Sequence, residues 1–473
     1  WWEDNVQDEK VTSRMPKDGM GVGTTMSVVD PYTIRFDFKE PQGPARVSSL
    51  AYIQGCPGPS HILKDHHPRY NAQKSYEDYK NALPADDLKN VVSLGMFVAV
   101  VHAPDQIVIM RRNPYYWKVD EKGNQLPYIN EQDEVYKNDN EIRILTLVNG
   151  EADYKAQSLQ LSSAPMLLEN QEKGDYTIYL KPEITLSNMS FNVTHPDLDK
   201  RKVFADLRFR QAMSLAINRD EINDVALFGQ GTPKQYTGFS PLPDFVDKKW
   251  ESYMIDYNPG KAKSLLDQIG MKDNDGDGFR ELPSGKKLVL NMNFSTQGID
   301  PQIVEMVGQN WAEVGIQTTV KEVTPDEYRS AQSSNQLDVG MWRSSQPLSI
   351  VMGNNELWVP PFENYFGHRT GMLWAEYVDS NGSKGVKPPA YVMQLIDDVN
   401  AFQSSPIGSA EFKRLGQRMV KNMTENLLKI GIAQKPAPIY RKNSLKNFVE
   451  FKTHSYEYYR TYPYRATQWY LDE

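Results

Sequence analysis

One stretch of the chain carries alternating carboxylates of the kind that bind calcium. In DNDGDGFRE, Asp273, Asp275 and Asp277 alternate and Gly278 follows, as at the start of an EF-hand loop. The twelfth position of such a loop needs a bidentate glutamate, but here it holds Ser284 after a proline. A turn rich in Asp and Gly between a helix and a strand accounts for the same pattern. We therefore predict a turn at this position and no required metal site.

The histidines and the cysteine are weaker candidates for metal binding or catalysis. His66 and His67 are adjacent, so on an extended segment their side chains point to opposite sides and cannot readily share one ion. His61 and Asp65 could share a helical face nearby. The single cysteine, Cys56, lies in the turn GCPGP and cannot form an internal disulfide. We expect a capped surface loop around the histidines and no nucleophilic role for the cysteine.

Composition and missing motifs exclude several classes of function. The sequence contains no HExxH, P-loop, GxSxG or GxGxxG motif. The formal net charge of −8 disfavours binding to nucleic acid, which selects a basic face. No apolar run reaches the roughly 20 residues that a membrane-spanning helix needs. We therefore predict a protein that is not an enzyme, uses no cofactor and binds no nucleic acid.

Residues Leu357–Tyr377, here called the aromatic segment, form a second candidate site. Two adjacent prolines and two glycines rule out one regular helix over this stretch. It nevertheless carries six aromatic rings: Trp358, Phe362, Tyr365, Phe366, Trp374 and Tyr377. Rings on a loop are harder to bury than rings on a helix, so we expect at least one of them to contact a ligand in a cleft. The alternative is a loop that folds over its own small cluster.

The elements before this segment position further polar side chains. From Leu288 to Trp342 strand and helix patterns alternate as β-α-β-α-β, which predicts a parallel sheet with right-handed crossovers. Ligands usually bind beyond the carboxyl ends of such strands. We therefore predict ligand contacts at the end of the last strand and in the aromatic segment, by Trp342, Arg343, Ser344, Ser345, Trp358, Tyr365, Phe366 and Trp374.

Periodicity predicts the remaining elements. We expect a half-buried strand within Pro31–Pro41, a hairpin that turns near Pro104–Asp105, and a helix that Gly150 ends before a short strand. DYTIYLKPEITLSNMSFNV predicts two strands. Three further segments predict amphipathic helices: YNPGKAKSLLDQIG, PPAYVMQLIDDVNAF and SAEFKRLGQRMVKNMTENL.

The segment DLRFRQAMSLAINRDEIND, residues 206–224, predicts a single amphipathic helix capped by Asp206. Its apolar side chains share one face at three- and four-residue spacings. Arg208, Arg210 and Arg219 lie off that face, so we expect them on the solvent side. Nothing in the segment is catalytic on physical grounds.

The order of these motifs resembles family 5 of the extracellular solute-binding proteins, the receptors of peptide, nickel and oligosaccharide ABC importers. A strand that ends in FN, a short polar connection, DLRFRQAMSLAINRDEIN and the turn FGQGTP form one match. Other matches follow in the family's order: VVDPYTIRFDFKEP, PSHILK, RRNPYYWKVDEKGNQLPYIN, VNGEADY, YNPGKAKSLLDQIG, DGDGF, WAEVGIQTTVKEV and LDVGMW. Each motif is weak alone, but together they cover nearly the whole chain.

The resemblance implies an α/β, periplasmic-binding-protein-like two-lobe fold with a small extra domain and a ligand cleft between the lobes. It assigns residues 1–90 to the remainder of the small domain, 91–192 with 445–473 to lobe I, and 193–444 to lobe II. Phe191, Asn192 and Val193 would act as a hinge. The chain begins with WWEDNVQDEK, which shows neither an initiator Met nor a signal pattern, so we expect an N-terminal truncation relative to the family.

The resemblance also implies a function. We expect an extracytoplasmic protein, periplasmic or lipid-anchored on the outer face of the cell membrane. As a monomer it would deliver an oligopeptide or oligosaccharide to an ABC permease and ATPase complex for import. A hydrolase acting on peptides or glycosides and a surface adhesion or sensor protein remain as alternatives.

One departure from the family bears on the ligand. In peptide-binding members an aspartate follows the strand that matches LDVGMW and pairs with the α-ammonium of the peptide. Here Arg343, Ser344, Ser345 and Gln346 follow, and the next acid is Glu356. A buried ammonium without a counter-ion is costly, which leaves oligopeptide and oligosaccharide as nearly even alternatives.

Overall fold

The chain divides into two units in a computed structural model that describes part of it. The described residues are 4–5, 8, 10–11, 25–39, 58–82, 88, 91–137, 139–156, 159–352, 355–363, 367–450 and 465–472. Unit 1 comprises Trp1–Pro41, Arg46–Lys181 and Ala437–Glu473, and unit 2 comprises Gln42–Ala45 and Pro182–Pro436. Among the described residues, the helices are all too short or too polar to cross a bilayer.

Strands and helices are numbered here in chain order. The strands are β1 Thr25–Asp30, β2 Thr33–Asp37, β3 Phe97–Ala103, β4 Ile107–Arg112, β5 Glu131–Val135, β6 Tyr154–Lys155, β7 Tyr176–Phe191, β8 Thr232–Pro233, β9 Val289–Phe294, β10 Gln317–Glu322, β11 Val339–Ser344, β12 Ile430–Lys442, β13 Leu445–Lys446 and β14 Tyr470–Leu471. The helices are α1 Ser60–Leu63, α2 Tyr76–Asn81, α3 Asn140–Val148, α4 Ala164–Glu169, α5 Leu198–Ala205, α6 Leu207–Leu215, α7 Arg219–Ala226, α8 Pro259–Gln268, α9 Pro301–Glu313, α10 Pro325–Ser333, α11 Leu348–Val351, α12 Met372–Asp379, α13 Ala390–Ser404 and α14 Ala410–Glu425.

Unit 1 contains the antiparallel sheet β3-β4-β5 and the hairpin β1-β2. The predicted hairpin at β3-β4 is confirmed, and Asp105 in its turn has a positive φ of 58°. The predicted strand within Pro31–Pro41 is also confirmed as β2, although its side chains are mostly exposed. The predicted helix before Gly150 is confirmed as α3. Asp139 caps this helix, since its side chain accepts from the backbone N–H groups of Glu141 and Ile142.

Unit 2 is built on the carboxyl-terminal part of β7, which pairs antiparallel with β11. Its main core lies against the helix pair α13 and α14, where the rings of Phe402 and Phe412 stack with centroids 4.3 Å apart. Both helices, and α8, form where the periodicity of the sequence predicts them. Asn258 caps α8 by accepting from the backbone N–H of Lys261.

The predicted β-α-β-α-β elements are present, but their sheet differs from the expected one. β9 and β10 pair in parallel, from Val289 opposite Gln317 to Phe294 opposite Glu322. β11 instead pairs antiparallel with β7, so the expectation of one parallel sheet for all three strands is wrong. The Asp338 carboxylate links the start of β11 to β9, because it accepts from the backbone N–H of Asn291 over 2.9 Å.

Two other expectations also need correction. The segment predicted as two strands is the single strand β7. Pro182 does not interrupt the strand, because it removes only one backbone N–H donor and its backbone conformation is compatible with an extended chain. The segment 206–224 forms two helices, since α6 ends at Leu215 and Asn218 caps α7. The break between them lets the side chain of Asn218 accept from the backbone N–H of Glu221.

Two arginines of this helix pair are buried, although the sequence predicts them in solvent. Arg210 donates to the carbonyls of Phe204 and Asn426, at 2.7 and 3.0 Å. Arg219 donates to the carbonyls of Ser214 and Gly431, both at 2.9 Å. The buried guanidinium groups therefore find backbone carbonyls as hydrogen-bond partners. Burial lowers the pKa of Arg219 to about 9.

Candidate functional site

The predicted site residues at the end of β11 are placed by its ladder with β7. Trp342 lies opposite Asn188, and Ser344 lies opposite Leu186. Because directly opposed residues of an antiparallel pair share a face, these four side chains point to one side of the sheet and Arg343 points to the other. Ser345 follows the strand and donates its hydroxyl to the carbonyl of Ile184 over 2.8 Å. The strand end is thus tied to β7 by side chains as well as by backbone.

Arg343 forms an ion pair that the sequence alone does not indicate. Its Nη1 lies 3.1 Å from Oε1 of Glu183 on β7. The arginine side chain is 38% exposed and the glutamate 13% exposed, so the pair lies at the edge of the protein. The sequence shows no acid directly after β11, but the register of β7 supplies one from 160 residues earlier in the chain. The charge of Arg343 is therefore already compensated.

Ser344 connects β11 to a buried charged pair. Its Oγ accepts from Asn188 Nδ2 over 2.9 Å and from Lys429 Nζ over 3.3 Å. Lys429 also forms an ion pair with Glu363, and the two side chains are 0% and 3% exposed. The ammonium lies 4.9 Å from the ring centroid of Tyr236. Burial lowers the pKa of Lys429, and the Glu363 carboxylate opposes that shift.

His368 lies beside this pair and is completely buried. Its ring packs against Gly340 on β11, where an added Cβ would lie 2.8 Å from the Cβ of the histidine. Neither ring nitrogen has a hydrogen-bond partner among the described residues. Burial holds the pKa of His368 well below its usual range, and the charge of Lys429 lowers it further. The imidazole is therefore neutral at physiological pH.

Three of the four described rings of the aromatic segment lie in the core of unit 2, and the fourth, Tyr377, is partly exposed. Trp358 packs against Phe239 with centroids 4.9 Å apart, and Phe362 packs edge-on against Trp374. The expected exposure to a cleft is wrong for these three rings of the segment, since all are buried. Tyr365 and Phe366 lie outside the described residues, and the predicted ligand contacts of the segment stay a prediction.

Trp342, the aromatic member of the predicted strand-end site, is also mostly covered. Its ring stacks on Tyr328 with centroids 5.4 Å apart. It also covers Gly298, where an added Cβ would meet the ring at 2.0 Å. The ring of Trp342 already packs against Tyr328 and Gly298, and its contact with a ligand remains a prediction.

A pocket of about 640 Å³ lies between residues 355–363 and α12, and we call it the α12 pocket. Apolar residues form one part of its wall, among them Val359, Pro360, Pro361, Met372 and Ala375. Charged residues form the other part: Glu356, Glu363, Arg369, Glu376, Asp379 and Lys384. Pockets of this volume accommodate small organic ligands. The sequence points to the aromatic rings of this region and gives no signal for its charged side chains.

The predicted hinge residues lie within unit 2, at and just after the end of β7. Phe191 packs edge-on against Phe209 with centroids 4.9 Å apart and also contacts Trp311. Asn192 donates its side-chain amide to the carbonyl of Leu337 over 3.1 Å, and Val193 is buried. Their role as a hinge stays a prediction.

The acidic turn, Asp273–Glu281, brings four carboxylates together. One oxygen each of Asp273, Asp275, Asp277 and Glu281 lies within 4.8 Å of the others. Lys287 Nζ lies 2.8 Å from both Asp275 and Asp277, and lowers the pKa of Asp277. Glu281 holds the ninth position of the loop, is buried, and accepts from the backbone N–H of Asn274 over 2.8 Å. That the turn requires no metal stays a prediction.

The histidine segment differs from the expected surface loop. His67 is buried, with its ring edge-on to Tyr79 at 4.5 Å between centroids and further contacts to Tyr70 and Tyr76. The three tyrosines that follow His67 in sequence therefore form the aromatic environment of its ring. His61 is exposed and His66 is partly exposed. Cys56 lies outside the described residues.

Comparison with known proteins assigns a family and relatives. Residues 4–356 match the family model of the bacterial extracellular solute-binding proteins, family 5 Middle. A periplasmic alpha-galactoside-binding protein of Rhizobium meliloti (strain 1021) is 30% identical over 94% of this chain and 65% of its own length. A probable ABC transporter-binding protein of Deinococcus radiodurans is 25% identical over 68% of this chain and 52% of its own length. The chain thus spans less than two thirds of both relatives.

Solved structures share the fold. The periplasmic binding protein MelB of Agrobacterium fabrum C58, in complex with stachyose, aligns with a TM-score of 0.78 at 26% identity, over all of this chain and 71% of that one. The oligopeptide-binding protein OppA aligns with a TM-score of 0.66 at 27% identity, over all of this chain and 79% of that one. The predicted α/β, periplasmic-binding-protein-like two-lobe fold is therefore confirmed.

Proposed function

The chain belongs to the family 5 bacterial extracellular solute-binding proteins, and on that premise we propose that it binds a neutral oligosaccharide and delivers it to an ABC importer. Its partners are the permease and ATPase of that importer, and it acts as a monomer. It works outside the cytoplasm, in the periplasm or lipid-anchored on the outer face of the membrane. The relatives are substrate-binding proteins rather than enzymes.

The observation that carries this proposal is the Arg343–Glu183 ion pair. Peptide recognition at the end of β11 needs a carboxylate for the α-ammonium of the ligand. Glu183 is the acid beside Arg343, and the guanidinium already occupies it at 3.1 Å. An ammonium would have to displace that guanidinium, whereas a neutral hydroxyl can accept from Arg343 and donate to Glu183 without separating them. The pair therefore favours a neutral ligand with many hydroxyl groups.

Two relatives support the same ligand class. The Rhizobium meliloti protein is named for alpha-galactoside binding, and the MelB structure contains stachyose. Stachyose is a neutral tetrasaccharide with α-linked galactosyl units, so both names point to one kind of ligand. Oligopeptides remain the second candidate because OppA is similarly related, at 27% identity.

Isothermal titration calorimetry with stachyose and with a tetrapeptide tests the proposal. We expect saturable binding of stachyose that changes little between low and high salt, because a neutral ligand gains little from long-range charge. At a hundred times its Kd, the sugar should also stabilise the protein by about 2.7 kcal/mol. Saturable binding of the tetrapeptide, with no response to stachyose, would refute the oligosaccharide assignment.

The variant Arg343→Ala separates the two ligand classes further. With a neutral oligosaccharide, we expect a modest and salt-independent loss of affinity. With a peptide held by its carboxylate, the loss would be large, and amidation of the peptide would weaken binding equally. Lys263→Ala, in the exposed part of α8, serves as a charge-matched control that should bind as the wild type does.

A further inference from the structure

One face of helix α12 lines the α12 pocket. Met372, Ala375, Glu376 and Asp379 all line it, at spacings of three, four and seven residues that place them on one side of α12. The first turn of this face is apolar and the second is acidic. The pocket therefore has an apolar end and a carboxylate end, set by the order of residues along one helix.

Arg369 supplies the donor in this pocket. It lines the wall, and its Nε is buried with no hydrogen-bond partner among the described residues. Because Nε is out of reach of solvent, a ligand in the pocket would accept from the terminal N–H groups of this partly exposed side chain. Arginine also presents several donors in one plane, which suits neighbouring hydroxyl oxygens.

We propose that the α12 pocket binds a sugar residue of the oligosaccharide, with Arg369 and Glu376 as ligand-binding residues. This inference rests on the proposed function and locates a subsite for it. A sugar ring has C–H groups on its faces, which pack on Met372 and Ala375. Its hydroxyl groups both donate and accept, so they donate to Glu376 and accept from Arg369.

The charge of the wall fits a neutral ligand better than an ionic one. Glu363 is neutralised by Lys429 behind it. The rest of the wall holds three carboxylates, of Glu356, Glu376 and Asp379, and two cations, of Arg369 and Lys384. Both signs lie around one space, so an ammonium or a carboxylate on a ligand would meet like charge as well as opposite charge. A neutral polyhydroxylated ring avoids that repulsion.

The pocket is physically connected to the end of β11. Glu363 on its wall pairs with Lys429, and Lys429 donates to Ser344 over 3.3 Å. Both charged side chains are fully buried, so the geometry of this connection is restricted. The pocket is thus linked to the Ser344 face of β11, and Arg343 points to the opposite face of that strand.

Calorimetric titration of stachyose into Glu376→Gln and Arg369→Gln tests the inference. Each variant removes one charged partner of a hydroxyl group, so we expect Kd to rise about tenfold or more. The control is Glu305→Gln, an exposed glutamate on α9 away from the pocket, which should bind as the wild type does. Glu376 is also exposed, so its variant should keep the melting temperature of the wild type.

The outcomes separate this inference from the proposed function. If the wild type binds stachyose and both pocket variants bind it equally well, the pocket assignment is overturned and the proposed function stands. If the wild type binds no oligosaccharide but binds peptide, the proposed function falls and the sugar subsite falls with it. Weaker stachyose binding by both variants, with Glu305→Gln unchanged, supports the subsite.

Discussion

Removal of one partner from the buried Lys429–Glu363 pair should strongly destabilise unit 2. In Lys429→Met, an apolar chain of similar length replaces the ammonium and leaves the Glu363 carboxylate, which is 3% exposed, without its counter-ion. Breaking a buried pair in this way costs about 3–5 kcal/mol. The substitution also removes the contact of the ammonium with Ser344 and the Tyr236 ring. We therefore expect a loss near the upper end of that range.

A double-mutant cycle isolates the pair. In Lys429→Met/Glu363→Met both charges are gone, so the double variant should recover much of the stability that either single variant loses. Urea unfolding followed by tryptophan fluorescence reports on unit 2, because five of the nine tryptophans lie there: Trp250, Trp311, Trp342, Trp358 and Trp374. Single variants that lose less than about 1 kcal/mol, or losses that simply add, would show that the pair is not coupled as the contacts indicate.

Two further predictions concern titration and metal binding. Since burial depresses the pKa of His368 in the folded state, the unfolded chain binds its proton first as pH falls below about 6.5, and stability should fall by up to about 1.4 kcal/mol per pH unit. His368→Phe should flatten that acid limb in urea titrations between pH 7 and 5, and an unchanged limb would contradict the assignment. For the acidic turn, we expect no calcium binding at micromolar concentrations by calorimetry, because Lys287 already bridges Asp275 and Asp277. Lys287→Met should raise the calcium affinity, and micromolar binding by the wild type would refute the prediction.

Elements defined by local periodicity and capping could be predicted from the sequence. The helices α3, α8, α13 and α14 and the hairpin β3-β4 form where their patterns indicate. In each helix the apolar spacing extends over several turns, and α3, α8 and α14 begin at Asp139, Asn258 and Ser409, whose side chains accept from the first turn. These determinants lie within a few residues of the element, so a single sequence contains them.

Features set by distant partners could not be predicted in the same way. Arg219 is buried because it donates to the carbonyl of Gly431, 212 residues away. β11 pairs with β7 although its own segment alternates with helices as in a parallel sheet. Glu183 reaches Arg343 from 160 residues away. In each case the local pattern is compatible with the outcome, but only the tertiary arrangement selects it.

Only some of the predicted ligand-binding residues are accessible to a ligand, and their exposure limits where a ligand can bind. Within the described residues of that set, Trp342, Ser344, Ser345, Trp358 and Trp374 are buried and already packed or hydrogen-bonded, whereas the side chain of Arg343 is 38% exposed. Ser344 in particular holds Asn188 and Lys429 in place and has no free face for a sugar. Among these side chains, Arg343 is the one exposed enough for the ligand contact proposed above. The α12 pocket is joined through Glu363 and Lys429 to Ser344, whose side chain lies on the face of β11 opposite to Arg343, so contacts in the proposed sugar subsite are separate from any contact by Arg343.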